Sequence, residues 1–398
     1  MRLLVRPAFL RLWIAGGISG ALLWFEVLAA ALFTLDATGS ALAVAIVSAA
    51  RSLPLLGFGA IVGVLADRMD RRAIVLGGLL LTAGSSGCVA GLAWAGVLRP
   101  WELAVAALAS GLAYATEMPA RRRMVAESAP GSLLGRAIAI DSLTNFATRC
   151  AGPLLGGVLY GAVGVAGSFA ASATASLIGA ALVAGLHRSP PGAPGGDASL
   201  LDGLREGARY VRARPSLRTM LGVTVAMNLF GYAYTTLVAP MGRDAFGLGD
   251  GAIGVLAAAE PAGAFAAGLV FARWSPSRAP VAWLAGGVAL LLCGLIAAGL
   301  LPSEPAVLAA LFCGGLGSAA FTNHQSTIAM DGTPPQLRSR VLGLVSACIG
   351  MWPIGLVAAG GLSLVATAQH AMAGLGVAGL LTLSAALWLG RARDGRRP

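Results

Sequence analysis

Apolar runs long enough to cross a lipid bilayer constrain this chain more than any other feature. A hydrocarbon core of ~30 Å takes about 20 apolar residues in helical form. Twelve such runs lie near 11–34, 41–66, 73–97, 101–120, 137–160, 165–186, 216–239, 251–272, 280–301, 305–330, 338–362 and 370–391. Only 11% of the residues are charged, against about 25% in a soluble domain. The 56 glycines and 20 prolines fit helices that pack closely in lipid, where small residues are favoured and breakers tolerated. The expectation is an all-α integral membrane protein with twelve transmembrane helices.

The net charge of +11 comes from 28 basic residues, all arginine. Nucleic-acid binding is a weak reading of that charge, because the arginines follow the spans. With the N-terminus inside and the spans alternating, 24 arginines fall on the inner side. Arg99 and Arg243 fall outside, and Arg51 and Arg149 stay in the membrane. By the positive-inside rule both termini are cytoplasmic. Arg2 and Arg6 before an apolar stretch resemble a signal peptide, but the stretch runs on to Phe33 and reads as the first span. Cys88, Cys150, Cys293, Cys313 and Cys348 all lie in expected spans without CxxC spacing. They read as buried structural residues, neither a disulfide framework nor a metal site.

Residues 187–215 form a linker, HRSPPGAPGG followed by a short amphipathic helix, between a half at 1–186 and a half at 216–398. The halves are related. A shift of 204 residues places Gly111-Leu112 on Gly315-Leu316, Glu127 on Asp331, Pro130 on Pro334, Arg136 on Arg340 and Gly156-Gly157 on Gly360-Gly361. A shift of 205 places Gly63 and Arg68 on Gly268 and Arg273, with Asp67 meeting Ala272. Two repeated six-helix halves are a transporter architecture, in which rocking of the halves exposes a midplane site alternately.

The loop GVLADRMDRR, Gly63 to Arg72, joins the second and third runs. It resembles the loop motif of the major facilitator superfamily: a glycine, then Asp-Arg, then a basic pair. The stretch AGPLLGG, Ala151 to Gly157, is similar to the span-5 motif of drug:proton antiporters in that superfamily, built on Gly152, Pro153, Gly156 and Gly157. Thr148 stands where that pattern has an earlier glycine. The stretch from Pro119 through Arg136 to Gly157 is similar to the branch containing macrolide and siderophore exporters. The resemblance implies a major facilitator fold, a bacterial inner membrane, usually a monomer, and secondary active transport of small amphipathic substrates in exchange for protons.

The same resemblance gives the loop a role. Gly63, Asp67, Arg68, Arg71 and Arg72 would form a cytoplasmic latch stabilising the outward-facing state, with Glu117 as a partner for Arg68. The plainer alternative is a solvated inner loop. Gly152, Pro153, Gly156 and Gly157 read either as close packing around a proline kink or as the same physics at a sliding interface.

Charges near the bilayer centre cost about 2.5–3.5 kcal/mol each, so each requires a reason. Arg51, Arg149 and Glu260 lie near mid-membrane, and Glu26 lies in the outer half of the first span. Two acids therefore balance two bases. The expected pairs are Glu26 with Arg51 inside the first half, and Arg149 with Glu260 where the family's fifth and eighth spans meet. Either the pairs only neutralise one another, or one glutamate trades its partner for a proton. Glu26 is the first proton-coupling candidate, because the family's first span lines its cavity, and Glu260 is the second. Asp141, Asn145 and Arg149 share a helical face. Asp141, one turn inside the membrane, is a third candidate or an interfacial partner for nearby arginines.

Trp24, Phe25, Asn145, Asn228, Phe230, Tyr232 and Tyr234 are substrate-cavity candidates, with lipid-facing placement the alternative for the aromatics. His324, expected near water at the inner end of the tenth run, reads as a local hydrogen-bonding residue. Without lysine no GxxxxGK[ST] phosphate loop exists, and no HExxH or Cys/His metal set is present. No cofactor is implied, and the energy source expected is a proton gradient. The functional expectation is proton-coupled export of amphipathic molecules. The alternatives are uptake of a small, anionic nutrient held by mid-membrane arginines, and a membrane sensor or enzyme that transports nothing.

Overall fold

The computed structural model describes residues 3, 6–129, 133–187, 200–274 and 279–391, apart from the side chains of 55–68, 139, 200–204, 335 and 391. Regular structure among these residues is entirely helical. The elements are α1 (Pro7–Thr38), α2 (Ala41–Arg68), α3 (Arg71–Trp94), α4 (Pro100–Ser128), α5 (Leu134–Ala184), α6 (Leu200–Arg212), α7 (Pro215–Ala226), α8 (Val238–Phe246), α9 (Asp250–Arg273), α10 (Pro280–Leu300), α11 (Glu304–Asp331), α12 (Arg338–Ile349), α13 (Trp352–Leu362) and α14 (Ala368–Arg391).

Local chemistry sets the ends of these helices. Ser40 accepts a hydrogen bond from the Ala43 amide at 3.3 Å and caps α2. Asp70, in the charged loop, accepts from the Arg72 amide at 3.0 Å and caps α3. Proline opens α1 and α4, where its missing N–H costs nothing. Gly39 ends α1 at φ 61° and Gly247 ends α8 at φ 63°, the left-handed turn that glycine enters freely.

Two elements depart from the expected spans. Helix α5 runs for 51 residues, which at ~1.5 Å per residue is more than twice the thickness of a bilayer core. It is two helices meeting at Gly164, whose φ of 64° and ψ of −170° lie in a region open essentially to glycine alone. The run at 216–239 is not one regular helix. After α7 the chain winds into a π-turn over Met227–Gly231 and a 3-10 turn over Ala233–Thr236. It then bends by 46° into α8. Tyr232 donates its amide to the Met227 carbonyl at 2.8 Å, and its own carbonyl accepts from Trp352 Nε1 at 3.3 Å. Side-chain donors of this kind take up backbone groups that a broken helix releases.

Among the described residues, nine helices are long and apolar enough to cross a membrane, ten with the bent α7–α8 pair. With α5 opened at Gly164 and the apolar Ala41–Pro54 of α2 added, the helices are consistent with twelve spans.

The chain divides into two compact units, Met1–Gly196 with Leu248–Ala258, and Asp197–Gly247 with Ala259–Pro398. In the first, α1 packs on α5, α4 and α2, α2 on α4, and α3 on α4 and α5. One apolar cluster near the N-terminal end of α1 gathers Phe9, Leu12, Val75, Leu79, Met124 and Val183. A second, around Ala29, Val47, Val89, Leu103 and Phe169, fills the other end. In the second unit α10 packs on α11 and α14, α14 on α7, and α13 on the irregular turns after α7. The amphipathic helix expected in the linker is α6, which packs on α12. Its Tyr210 hydroxyl donates to the Gly332 carbonyl at 3.0 Å, and Glu206 pairs with Arg340.

The cysteines correct the expectation of burial. All five are free thiols, but Cys88, Cys293 and Cys313 are exposed and Cys150 and Cys348 half-buried. In lipid a thiol behaves as a small apolar group, so facing outward carries no penalty that would drive it inside.

Gly164 generates a stability prediction. A Cβ there meets nothing within 4 Å, so the cost of Gly164→Ala is conformational, about 1–3 kcal/mol. Thermal unfolding of purified protein in detergent is expected to shift down for Gly164→Ala. Gly84→Ala in α3, equally open in space but helical, is expected to leave it level or raise it.

Candidate functional site

The first unit is organised around one buried carboxylate. Glu26 on α1 is 2% exposed, and Arg51 on α2 is 9% exposed. Arg51 Nη2 donates to Glu26 Oε2. Two serines complete the shell: Ser86 Oγ of α3 donates to Glu26 Oε1 at 2.6 Å, and Ser172 Oγ of α5 at 2.5 Å. Four helices thus meet at one side chain. Three donors satisfy the acceptor capacity of a carboxylate that is buried. The serines escaped the sequence reading because a serine in an apolar run reads equally well as a small packing residue.

The second unit has its own buried carboxylate. Glu260 on α9 is fully buried, accepting from Ser318 Oγ on α11 and from the Tyr234 hydroxyl at 3.3 Å. Arg51 and Glu260 occupy equivalent places. A Cβ on Gly111 would collide with the Arg51 carbonyl, and one on Gly315 with the Glu260 carbonyl. The repeat pairs these two glycines. Helix α2 has 28 residues and α9 has 24, so one turn separates this register from the one that aligns the loops. The repeated unit therefore holds opposite charges at one structural position. Arg149, the partner expected for Glu260, belongs to the first unit, where its guanidinium lies 5.2 Å from the Trp24 ring centroid, a cation–π arrangement.

Asp141 accepts from Arg121 Nη1 at 2.6 Å, with Arg122 Nε at 3.7 Å. Asp141 and Arg121 are each 8% exposed. Asp141 lies with the arginines at this end of α4, as an interfacial partner would. Of the loop residues, Gly63, Asp67 and Arg68 lie outside the described side chains. Arg71 pairs with Glu127 of α4. Arg72 donates from Nε to the Val183 carbonyl at 3.3 Å and from Nη2 to that of Ala184. Both arginines thus bind the loop to its own unit. Glu117, expected beside Arg68, is 4% exposed and accepts from Ser19 Oγ at 2.7 Å.

The AGPLLGG glycines are contact surfaces. A Cβ on Gly152 would strike the Ala21 carbonyl and the Trp24 Cβ, one on Gly156 the Phe25 carbonyl, and one on Gly157 the backbone of Asp250 and Gly254. Pro153, inside α5, puts its carbonyl against Gly254. Only glycine lets the backbones approach this closely.

The cavity candidates separate by environment. Phe25, Asn228 and Tyr234 are buried at 5%, 4% and 2% exposure. Asn228 donates Nδ2 to the Thr224 carbonyl at 2.9 Å. Trp24, Asn145, Phe230 and Tyr232 are partly exposed. Asn145 lines a small polar cavity with Tyr114, Glu117 and Asp141. Phe230 packs beside Gly379, and the Tyr232 ring sits edge-on to Phe321 at 6.5 Å. His324 corrects its expected place near water. It is 2% exposed, stacked on Trp283 at 6.0 Å and edge-on to Phe271 at 5.8 Å. Its Nδ1 donates to the Ala320 carbonyl at 2.9 Å, the local bond expected of it. Among the described residues no group of three His, Cys, Asp or Glu side chains is placed to hold a metal.

The Glu26–Arg51 pair predicts a particular stability pattern. Removing one partner strands a buried charge, a loss of about 3–5 kcal/mol, whereas replacing both by apolar residues is often nearly neutral. Arg51→Met is therefore expected to destabilise more than the double change Glu26→Met with Arg51→Met, measured by denaturant unfolding in detergent.

The sequence matches the Major Facilitator Superfamily profile over residues 12–358. It is 21% identical over 334 residues to "Macrolide efflux protein A" of Streptococcus pyogenes, covering 81% of each chain. It is 27% identical over 370 residues to "Multidrug efflux pump Tap" of Mycolicibacterium fortuitum, covering 90% of each. A match at 27% to "Uncharacterized MFS-type transporter YfiS" of Bacillus subtilis spans 52% of this chain and about half, 49%, of that protein. Among solved structures, the fold is similar to a bacterial homologue of the human lysosomal transporter Spinster in its inward-facing, occupied conformation. That likeness has a TM-score of 0.74 at 16% identity and covers 98% of this chain and 96% of the other. From the profile match across most of its length, together with the buried-charge helical halves, this multi-pass membrane chain belongs to the Major Facilitator Superfamily.

Proposed function

We propose that the protein exports small amphipathic molecules in exchange for protons, with its arginine-rich ends in the cytoplasm and Glu26 as the coupling carboxylate. The observation that carries this reading is the Glu26–Arg51 pair with its two serine donors. A carboxylate held this way has two defined states. Ionised, it satisfies Arg51. Protonated, it keeps its serine contacts but releases the arginine charge, which then requires another counter-charge in low dielectric. A proton arriving at Glu26 therefore changes how strongly α1 holds α2, and that change is the differential interaction an alternating-access cycle needs. A proton gradient supplies the energy, since the membrane potential alone is worth about 2.3 kcal/mol per charge per 100 mV.

The direction of transport is supported by the relatives, an efflux protein for macrolides and a multidrug efflux pump. A second reading, uptake of an anionic nutrient, is favoured by the mid-membrane Arg149. The solved structures of similar fold include a POT family transporter in complex with 5-aminolevulinic acid and the nucleoside transporter NupG. These are 11% and 14% identical, so they speak to fold alone.

The test is transport in proteoliposomes with an internal pH dye. Against an imposed pH gradient, a macrolide or a cationic dye is expected to drive proton movement. Glu26→Gln is expected to abolish it while leaving energy-independent exchange of substrate across the membrane. Gradient-driven accumulation that survives Glu26→Gln removes this residue from coupling. Accumulation of nutrient without response to amphiphiles favours uptake.

A further inference from the structure

Glu117 is a second deeply buried carboxylate of the first unit, and it shares a cavity with Glu26. It is 4% exposed and, among the described residues, accepts one hydrogen bond, from Ser19 Oγ. Unlike Glu26 and Asp141, it forms no ion pair among the described residues. A small polar cavity is lined at once by Ser19, Glu26, Arg51, Thr82, Ser110, Tyr114 and Glu117. A second small cavity starts from Glu117 and Tyr114 and reaches Arg121, Asp141 and Asn145.

The register of two helices builds this row. Ser19 and Glu26 are seven residues apart on α1, and so are Ser110 and Glu117 on α4. Seven residues are two turns, about 10 Å, on one helical face. Ser110 stands beside the Glu26–Arg51 pair and Glu117 beside Ser19, so the helices face each other in opposite directions with a carboxylate at each end. Tyr114 lies one turn from each of Ser110 and Glu117, and Thr82 of α3 enters from the side. About 10 Å is three or four hydrogen-bond lengths, a span that a few hydroxyls and waters bridge. Beyond Glu117, Arg121 lies one turn further along α4 and pairs with Asp141, at the end of the unit that carries the arginines.

We propose that Glu117 is a second proton-binding site, receiving the proton from Glu26 through this cavity and passing it toward the Arg121–Asp141 end. The proposal rests on the antiport reading above and deepens it. In the transfer the O–H bond at Glu26 breaks as Arg51 reclaims the carboxylate. A proton moves along the hydroxyl and water chain, and an O–H bond forms on Glu117. Charge and atoms balance without any other reactant. The titratable and charged groups around Glu117 are Glu26 of α1, Arg51 of α2, Tyr114 and Arg121 of α4, and Asp141 of α5. From α3 the facing groups are Leu79 and Thr82, which carry no charge. Among the described residues Glu117 is thus the carboxylate in this row with no arginine paired to it, so that protonating it breaks no ion pair among them.

The test compares two fluxes in proteoliposomes of the full-length protein: substrate-driven proton movement, and exchange of substrate without a gradient. Glu117→Gln is expected to lower the proton flux by about tenfold or more while exchange stays near that of the native protein. Thr82→Val, which keeps the shape and removes the hydroxyl, is expected to slow the proton flux in the same selective way. It decides the matter if Glu117→Gln does not fold. Infrared difference spectra after a pH jump add a direct readout: a protonated-carboxyl band lost in Glu117→Gln. Unchanged proton flux in Glu117→Gln, or in Thr82→Val where that variant decides, overturns the proposal. An equal loss of proton flux and exchange also overturns it, since it marks a purely structural or latch residue. Loss of flux in Glu26→Gln with none in Glu117→Gln removes only the second site. Intact flux in Glu26→Gln removes the antiport reading itself.

Discussion

The ion pair between Glu26 and Arg51 is the interaction on which the first unit depends. Neither charge is tolerable alone in a bilayer, and both side chains are buried. Together they fix α1 to α2. The leftover acceptor capacity of Glu26 draws in Ser86 from α3 and Ser172 from α5. A single carboxylate so specifies the mutual rotation of four helices, which apolar contact alone leaves loose, because lipid tails and leucine side chains attract equally well. Glycine supplies the closeness this demands. Gly111 brings α4 onto the backbone of α2 beside Arg51, and Gly152 and Gly156 bring α5 onto α1 beside Glu26.

The second unit solves the same problem with other chemistry. Its buried charge is an acid at the position where the first unit has a base. Hydroxyls from Tyr234 and Ser318 solvate that acid. The irregular turns after α7 belong to this arrangement. The π-turn and 3-10 turn displace the helix register just where Tyr234 must reach Glu260. Insertions of this kind are frequent at functional sites, and the Trp352 indole takes up the Tyr232 carbonyl at the break. Duplication therefore preserved the packing frame, with its paired glycines, while the charges diverged.

Much of the fold was legible in the sequence because its signals are long. Runs of about 20 apolar residues and a 204-residue repeat each integrate over many positions, so single exceptions do not blur them. The pairing of Glu26 with Arg51 was accessible for a related reason: few charges lie deep in the membrane, and their signs must balance. The partners that finish the sites were not. Ser19, Ser86, Ser172 and Ser318 look like any small residue in an apolar helix. The contact of Glu117 with Ser19 and its place in a cavity shared with Glu26 had no signal in the sequence. His324 is buried among rings, and three of the five cysteines are exposed. Nothing in uniformly apolar helices marks which face is which.

What the sequence determined by itself is the class of solution. Apolar run length forces membrane spans, and the repeat relates two halves of the chain. These properties are additive along the chain, so they survive being read one residue at a time. What only the tertiary structure decided is which polar atoms share a cavity. That depends on helix rotation and on one-turn shifts such as the one between α2 and α9. A rotation of a few tens of degrees moves a serine from lipid to a carboxylate without changing any composition. The row from Glu26 through Tyr114 to Glu117 exists because two helices, seven residues of each, lie face to face, and that fact is a property of the packing.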